Sequence, residues 1–457
     1  MRKVRPALLK GFDQEFLPQD QLQFNALVDI IRRNFERFGF LPIETPSAER
    51  IEVLTSKGGS EKEIYALSRL AAEPDDEAAT RGALRFDLTV PLARYVAMRE
   101  RELAFPFRRY QIQRVWRGEN PQVKRGRFRE FYQCDIDIIN RETLSYLAEA
   151  EIPSIIYAVF REMAIGDFRI RINNRKVLKG MLQHFAVAEE QAAAVLRALD
   201  KLDKEGDAAV RAELERQGMS AKAAGELYRI VSARQGTRDT LATLSELGLR
   251  NELYQQGVDE LNKIVGAIGQ FGVPDRAFSI DLSVVRGLDY YTGTIYETTL
   301  TQHPDIGSIC SGGRYDDLAS YFTNTKLPGV GISIGLSRLF ARLKEANLLK
   351  PLARTPAEVL VTTLDAHYLD DYLRLAGSLR AEGVNTEVYL ERAKIGKQFE
   401  YANRKGFRIA ITAGVDDFGR GAVKVKDLST QVESDVPLAQ VVNRVKGMLA
   451  ESNSKAH

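Results

Sequence analysis

The stretch that decides the fold spans residues 114–137 and reads RVWRGENPQVKRGRFREFYQCDID. Pro121 and Gly126 interrupt it, so it cannot form one unbroken helix. Alternating residues on both sides predict two strands joined by a basic loop. Such a loop can hold a polyanion, whereas Asp135 and Asp137 on the second strand suit a cationic group. The hairpin therefore indicates a site with phosphate at one end and a cation at the other. The alternative is a solvated basic hairpin on the surface.

Length and composition are those of a soluble globular protein with two or three domains. The chain has 457 residues, 44% hydrophobic and 28% charged, with a formal net charge of +3. Because this charge is small, any nucleic-acid binding must come from local clusters such as residues 108–129. No apolar run approaches the roughly 20 residues of a membrane span. The N-terminus lacks the sustained apolar core of a secretory signal. We therefore expect no membrane association.

The two cysteines, Cys134 and Cys310, have no paired spacing. This predicts neither a disulfide framework nor a zinc site and fits the reducing cytoplasm. The four histidines do not fall in the motif-dense stretches, so we expect no metal site built from protein side chains.

Residues 19–38 have helical hydrophobic spacing, and Gly39 ends the predicted helix. A short extended segment, FLPIET, follows and ends at Pro46. This helix and strand could serve core packing or a subunit interface.

The stretch at residues 84–97 reads LRFDLTVPLARYVA, and Pro91 predicts the start of a helix there. Asp87 and Thr89 share strand parity, so both could face one pocket. The alternative is that one of them caps the helix.

Residues 143–163 predict another helix, and DFRIRINNRKVLKGML predicts a strand that enters a helix. Alanine, glutamate, leucine and arginine then dominate, which predicts a helical insertion over 175–270.

Strand signal and glycines return at 278–340. Gly312 and Gly313 suit a tight bend or a close backbone approach. The run GVGISIGLSRLF predicts a buried strand before a helix that begins near Arg338. No Walker-A or dinucleotide pattern occurs, so ATP, if bound, would be held by arginines on an antiparallel sheet.

Residues 346–357 are predicted to be a linker. Beyond it, strands and helices alternate, which predicts a small α/β domain over 358–457 with a largely parallel sheet. Lys394, Lys397, Arg404 and Lys405 cluster around its second helix. From spacing alone, an ordinary charged surface helix accounts for them.

In their order, these stretches resemble class II histidyl-tRNA synthetases. The helix and strand ending at Pro46 resemble the first class motif, a dimer-interface element. Residues 117–137 resemble the second motif and 329–339 the third. VVRGLDYYTGTIYE at 284–297 and SGGRYDDL at 311–318 resemble the two stretches particular to the histidine enzymes, and RGLDYYTG is the most specific.

The resemblance implies a fold and a division of the chain. Residues 1–174 and 271–345 would form an α+β catalytic domain on a mostly antiparallel sheet, interrupted by the helical insertion at 175–270. Residues 358–457 would form the anticodon-binding-like domain. The enzyme would be a cytoplasmic homodimer that uses ATP and Mg²⁺ to attach L-histidine to tRNA(His).

The resemblance also implies site residues. Histidine activation brings a carboxylate against the α-phosphate of ATP, so several fixed cations are needed around one point. The implied catalytic residues are Arg117, Arg286 and Arg338. The implied ATP-binding residues are Arg117, Glu119, Arg129 and Arg338. Histidine binding is implied for Asp87, Thr89, Gln133, Asp137, Arg286, Tyr290, Tyr291 and Tyr315, and acceptor-stem contacts for Lys124, Arg125 and Arg127.

The sequence departs from the family pattern at three positions. Ser337 stands where the third motif commonly has Glu, which puts one contact in doubt. Asp87 and Asp137 are shorter than the glutamates of many bacterial members. A rival interpretation is a catalytically silent paralogue that senses histidine as a regulatory subunit of ATP phosphoribosyltransferase. Such subunits typically lack the C-terminal module and the catalytic arginines, and this chain retains both.

Overall fold

The structure is a computed structural model that describes residues 5–56, 61–70, 81–200, 202, 206–233, 236–285 and 291–453. The chain divides into two compact units, residues 1–15 with 26–349 and residues 16–25 with 350–457. Among the described helices, none is long and apolar enough to cross a membrane.

The first unit is built on an eight-stranded sheet. Its strands, with two short strands that pair separately, are β1 (Leu41–Pro42), β2 (Ala48–Arg50), β3 (Gly82–Leu84), β4 (Phe107–Trp116), β5 (Glu130–Ile139), β6 (Phe168–Asn174), β7 (Phe278–Ile280), β8 (Thr294–Leu300), β9 (Ser308–Tyr315) and β10 (Gly329–Ile334). The order in the large sheet is β1-β4-β5-β10-β9-β8-β6-β7, and β2 pairs with β3. Only the two outer pairs, β1 with β4 and β6 with β7, are parallel. The expected mostly antiparallel sheet is confirmed.

The described residues up to 349 form eleven helices, of which α1 begins in residues assigned to the second unit. They are α1 (Pro18–Arg37), α2 (Ile51–Thr55), α3 (Thr89–Arg99), α4 (Tyr146–Met163), α5 (Arg175–His184), α6 (Glu189–Leu199), α7 (Asp207–Arg216), α8 (Ala221–Ser232), α9 (Thr237–Glu246), α10 (Glu252–Gln270) and α11 (Leu336–Glu345). Helices α5 to α10 fill the range in which the sequence predicts helices. Helices α4 and α11 pack on one face of the large sheet. Because strand side chains alternate, that face takes Cys134, Ile136 and Ile138 of β5, which are buried.

The second unit contains a five-stranded sheet in the order β12-β11-β13-β14-β15. Its strands are β11 (Val359–Val361), β12 (Thr386–Val388), β13 (Ile409–Thr412), β14 (Ala422–Asp427) and β15 (Glu433–Pro437), and its helices are α12 (Leu369–Ala381), α13 (Ile395–Lys405), α14 (Val415–Gly419) and α15 (Val441–Asn453). Apolar side chains of α12 and α15 pack on one face of this sheet, and those of α13 pack on the other. The domain is α/β as expected. Its sheet is mixed rather than largely parallel, because β14 and β15 continue from β13 as antiparallel neighbours.

Candidate active site

The β4–β5 hairpin predicted from residues 114–137 is present and supplies most of the site. Its register pairs Arg109 with Asp137, Gln111 with Asp135 and Gln113 with Gln133. Paired residues of antiparallel strands point to the same face. The six side chains therefore project from the face opposite α4 and α11. A ladder of polar groups on this face, next to the apolar end on which α3 packs, is the basis of the site.

Asp137 is held on both oxygens. Its Oδ2 forms an ion pair with Arg109, and its Oδ1 accepts a hydrogen bond of 2.7 Å from the Tyr315 hydroxyl. Burial raises the pKa of Asp137 to about 6, although Arg109 and Tyr315 both favour the charged form. The two partners fix the orientation of this carboxylate. The family resemblance implies Asp137 and Tyr315 for the pocket, and the structure brings them together.

Asp135 lies between Gln133 and Asp137 on the same face of β5. Gln133 Nε2 donates to Ser333 Oγ at 2.8 Å, and the Ser333 hydroxyl hydrogen-bonds Asp135. Burial raises the pKa of Asp135 to about 7, opposed mainly by the positive charge of Arg109. Asp135 is thus a second deeply buried carboxylate beside the first.

Asp87 and Thr89 do not lie on a strand as their shared parity suggested. Thr89 is the first residue of α3, and Asp87 Oδ1 accepts a hydrogen bond from the Val90 amide at 3.1 Å. The capping alternative is therefore realised. The negative charge of Asp87 also acts on Asp135 and Asp137, raising the pKa of both. Asp87 caps the helix while standing beside the two buried carboxylates.

A cavity of about 360 Å³ opens over this face of the sheet. Among the predicted site residues, its lining includes Arg117, Glu119, Arg127, Gln133 and Arg338. Two arginines that are 221 positions apart in the sequence thus converge on one space, as the predicted chemistry requires.

The structure fixes Arg117 and Arg338 of the cavity lining. Arg117 donates from Nε to the Phe86 carbonyl at 3.0 Å, and its guanidinium lies 5.1 Å from the centre of the Phe131 ring. Arg338 donates from Nη2 to the Ile306 carbonyl at 3.1 Å. Held in this way, the guanidinium groups lose little further conformational freedom when an anion binds.

Other predicted residues lie elsewhere. Arg129 is not part of the cavity lining, and its guanidinium donates to the Glu119 and Lys10 carbonyls. Lys124 and Arg125 are exposed on a 3₁₀ turn at Val123–Arg125. The expected residues Arg286 and Tyr290 lie outside the described residues. Tyr291 is described, and burial raises the pKa of its hydroxyl, as do the charges of Asp137 and Asp135.

Ser337, the departure from the third motif, has a structural role. Its hydroxyl accepts a hydrogen bond from the Tyr132 amide at 2.9 Å and donates to Gln14 Oε1. The side chain is fully buried. With its hydroxyl engaged on both sides, Ser337 ties α11 to β5 rather than replacing a glutamate in the cavity.

Gly331 creates room for the buried carboxylate. A Cβ atom at this position would lie 2.1 Å from Asp137 Oδ1. The sequence predicts a buried strand here, and the structure places Asp137 of β5 directly against its glycine.

In the part of the chain that the structure describes, no group of three His, Cys, Asp or Glu side chains is placed to hold a metal ion. Both cysteines are buried and free, and burial raises their pKa values.

In the second unit, Lys394, Lys397 and Arg404 are exposed, whereas Lys405 pairs with Glu387 at 2.8 Å.

The sequence analysis did not identify Arg109 or Ser333 as site residues, and it did not predict that Asp135 is buried. The available signal was the hairpin register, which places Arg109 opposite Asp137 once the loop length is known. The position of Ser333 depends on a pairing between strands about 200 residues apart, which no local pattern reveals.

Comparison with known proteins identifies the family. The family model described as histidyl-tRNA synthetase matches residues 13–339, and the anticodon binding domain model matches residues 358–448. A histidine–tRNA ligase of Xanthomonas oryzae pv. oryzae (strain PXO99A) is 50% identical over 452 residues, covering 95% of this chain and 96% of that protein.

Two solved structures are similar. The histidyl-tRNA synthetase of Nostoc sp. PCC 7120 matches with a TM-score of 0.89 and 42% identity, covering 98% of this chain and all of that one. An ATP phosphoribosyltransferase regulatory subunit/histidyl-tRNA synthetase of Bacillus halodurans C has a TM-score of 0.72 and 21% identity, covering 87% of this chain and 97% of that one, and it shares the fold alone. The chain, with its two arginines over a carboxylate-bearing sheet, belongs to the histidyl-tRNA synthetase family.

Proposed function

We propose that this chain is an aminoacyl-tRNA ligase that activates L-histidine with ATP and transfers it to the 3′ end of tRNA(His). The observation that supports this most directly is the convergence of Arg117 and Arg338 on one cavity whose lining also includes Gln133. Gln133 shares a strand face with Asp135 and Asp137. The site thus offers cations for a triphosphate and acceptors for a cationic amino acid.

In the first step, the histidine carboxylate attacks the α-phosphate, and pyrophosphate leaves. Arg117 would hold the α-phosphate and Arg338 the γ-phosphate, while Arg286 would stabilise the charge of the pentavalent transition state. Glu119, which lines the cavity, would accept from the adenine amino group. One such charge pairing at ~4 Å contributes on the order of 4 kcal/mol at an effective dielectric of about 20. Each arginine is therefore individually important.

Histidine would lie along β5. Its α-ammonium group would bind near Asp87, Thr89 and Gln133, and its imidazole would bind Asp137 and Tyr291. Tyr315, which donates a hydrogen bond to Asp137, would also line this pocket. Tyr290 would complete the lining. Buried groups that must hydrogen-bond a substrate N–H can reject analogues lacking it by ~10⁴ or more.

Mg²⁺ fits this site as an ion bound mainly by ATP. The described residues form no three-ligand metal cluster, so the phosphates and water would provide most of its ligands. When bound, Mg²⁺ would neutralise phosphate charge. Arg129 would support the ATP site indirectly through its contact with the Glu119 carbonyl.

Two parts of the chain would contact tRNA. The exposed Lys124, Arg125 and Arg127 would bind the acceptor stem, mostly through phosphates. Residues 358–457 would form the anticodon-binding domain, residues 1–174 and 271–345 the catalytic domain, and residues 175–270 its helical insertion.

The assembly would be a cytoplasmic homodimer. Leu41 on the edge strand β1 is 61% exposed, which suits an interface residue in the first motif. The two free cysteines suit a reducing compartment.

The test is aminoacylation of total tRNA with each of the twenty amino acids in turn. We expect charging with histidine only, and histidine-dependent exchange of pyrophosphate into ATP. A silent regulatory paralogue would bind histidine without either activity. The match of residues 358–448 to an anticodon-binding domain supports the enzyme over that rival.

A further inference from the structure

We propose that Asp135 is a further substrate-binding residue, whose Oδ1 accepts a hydrogen bond from the α-ammonium group of histidine. This inference deepens the proposed function and adds a residue that the family resemblance did not imply. It would make the amino end of the substrate, and not only its imidazole, a target of a buried carboxylate.

Three buried acceptor oxygens lie at neighbouring positions on the face of the sheet that bears the polar ladder. They are Asp135 Oδ1, Gln133 Oε1 and Gln111 Oε1, and none of them has a hydrogen-bond partner within the described ranges. Gln111 faces Asp135 in the β4–β5 register, and Gln133 is two residues away on β5. Buried polar groups in folded proteins are normally paired. Three unpaired acceptors side by side indicate a ligand that brings several donors.

An ammonium group fits this set better than an imidazole ring. It has three N–H donors on one atom, whereas an imidazole has at most two, on nitrogens that point in different directions. Asp137 is also less available than Asp135, because Arg109 and Tyr315 occupy its two oxygens.

Position along β5 leads to the same assignment. Gln133 and Ser333 line the cavity that Arg117 and Arg338 share, so this end receives the substrate carboxylate. The α-ammonium group is bonded to the carbon that bears the carboxylate and must lie close to it. Along β5, Asp135 lies two residues, or about 7 Å, from Gln133. Asp137 lies four residues, or about 14 Å, from Gln133. Asp135 is therefore at the amino end and Asp137 at the imidazole end.

The charges around Asp135 also call for a cation. The Arg109 guanidinium attracts it, but that group is already paired with Asp137, and Asp87 contributes another negative charge. The Ser333 hydroxyl adds one hydrogen bond. Among the described residues, the uncharged Tyr291 hydroxyl and the thiols of Cys134 and Cys310 are the other titratable groups that interact with Asp135. In this described set, three carboxylates share one arginine, which leaves an excess of negative charge for the substrate to balance.

The test uses Asp135→Asn, which keeps the shape and removes the charge, in histidine-dependent pyrophosphate exchange by the full-length protein. We expect the KM for histidine to rise about tenfold or more and the KM for ATP to stay unchanged. Asp435→Asn, a largely exposed aspartate on β15, is the matched control and should leave both constants unchanged.

Two competitive inhibitors separate the ends of the substrate. Histidinol keeps the amino group and the imidazole, and 3-(imidazol-4-yl)propanoate lacks the amino group. Asp135→Asn should weaken inhibition by histidinol and spare inhibition by the propanoate. An unchanged histidine KM, or equal weakening of both inhibitors, would overturn the proposal. If Asp135→Asn does not fold, Asp135→Ser, which also lacks the carboxylate, takes its place with the same expected pattern. A wild-type protein without exchange activity would refute the proposed function instead.

Discussion

Arg109 and Asp137 form an ion pair between facing positions of β4 and β5, with side chains 0% and 5% exposed. Removing one member of such a pair leaves an uncompensated charge in the interior. Arg109→Met should therefore lower the free energy of unfolding by about 3–5 kcal/mol. It should also raise the KM for histidine, because Asp137 would then be protonated at neutral pH. Urea unfolding and pyrophosphate exchange measure the two effects.

The matched control is Arg99→Met, which removes an exposed pair with Glu102. This pair is solvent-screened, so no measurable change in stability or KM is expected. If the two variants are equally stable, the Arg109–Asp137 pair contributes no more to the free energy of unfolding than an exposed pair does.

The three predicted catalytic arginines should affect chemistry more than folding. We expect Arg117→Ala, Arg286→Ala and Arg338→Ala each to lower the rate of adenylate formation by orders of magnitude, because each removes a positive charge that would stabilise the transition state. Thermal unfolding should stay close to that of the wild type. Near-normal pyrophosphate exchange in any of the three would refute the role assigned to that residue, and the exposed Arg161→Ala on α4 is the control.

The exposed turn at 123–125 should act at the transfer step. Lys124→Ala and Arg125→Ala are expected to spare pyrophosphate exchange and weaken tRNA charging, most strongly at low salt, because at higher salt ions already screen the phosphate contacts of the wild type. Comparison of exchange and charging rates across a salt series measures this. An equal fall in both activities would mean that the turn serves ATP rather than RNA.

Stability should depend on pH through Asp135. Burial raises its pKa to about 7 from an ordinary value of 3.8, so the folded state binds a proton that the unfolded state releases between these values. The charged Asp135 carboxylate therefore lowers the free energy of unfolding by its full amount above about pH 7, and this destabilisation declines as the pH falls toward about 4. Asp135→Asn should therefore be more stable than the wild type by a few kcal/mol near pH 8, and the difference should shrink near pH 5. Urea unfolding at the two pH values measures it, and a constant difference would contradict the assignment.

The β4–β5 hairpin could be predicted because its determinants are local. Proline and glycine interrupt the loop, and side chains alternate on both sides of it. The same locality explains why the sequence predicts a strand position for Asp87. Alternation over a few residues does not show where β3 ends, and the structure ends it at Leu84, before α3 begins at Thr89.

Residues such as Arg109 and Asp135 could not be assigned from the sequence because their environment is not local. From the sequence RRY alone, Arg109 would be predicted to be an exposed charge. Its partner Asp137 is 28 positions later, and only the strand pairing shows that the two residues face each other. Gln133, Asp135 and Asp137 share one face, and only the tertiary partners Ser333 and Tyr315 distinguish the roles of the two carboxylates.

Both thiols lie within the sheet of the first unit, with Cys134 and Cys310 at most 2% exposed and their pKa values raised by burial. Thiolate is the nucleophile that alkylating reagents require. We therefore expect neither natural cysteine to react with maleimide in the native protein. A single engineered cysteine in place of Lys124 could report on RNA binding by fluorescence, with neither natural thiol substituted.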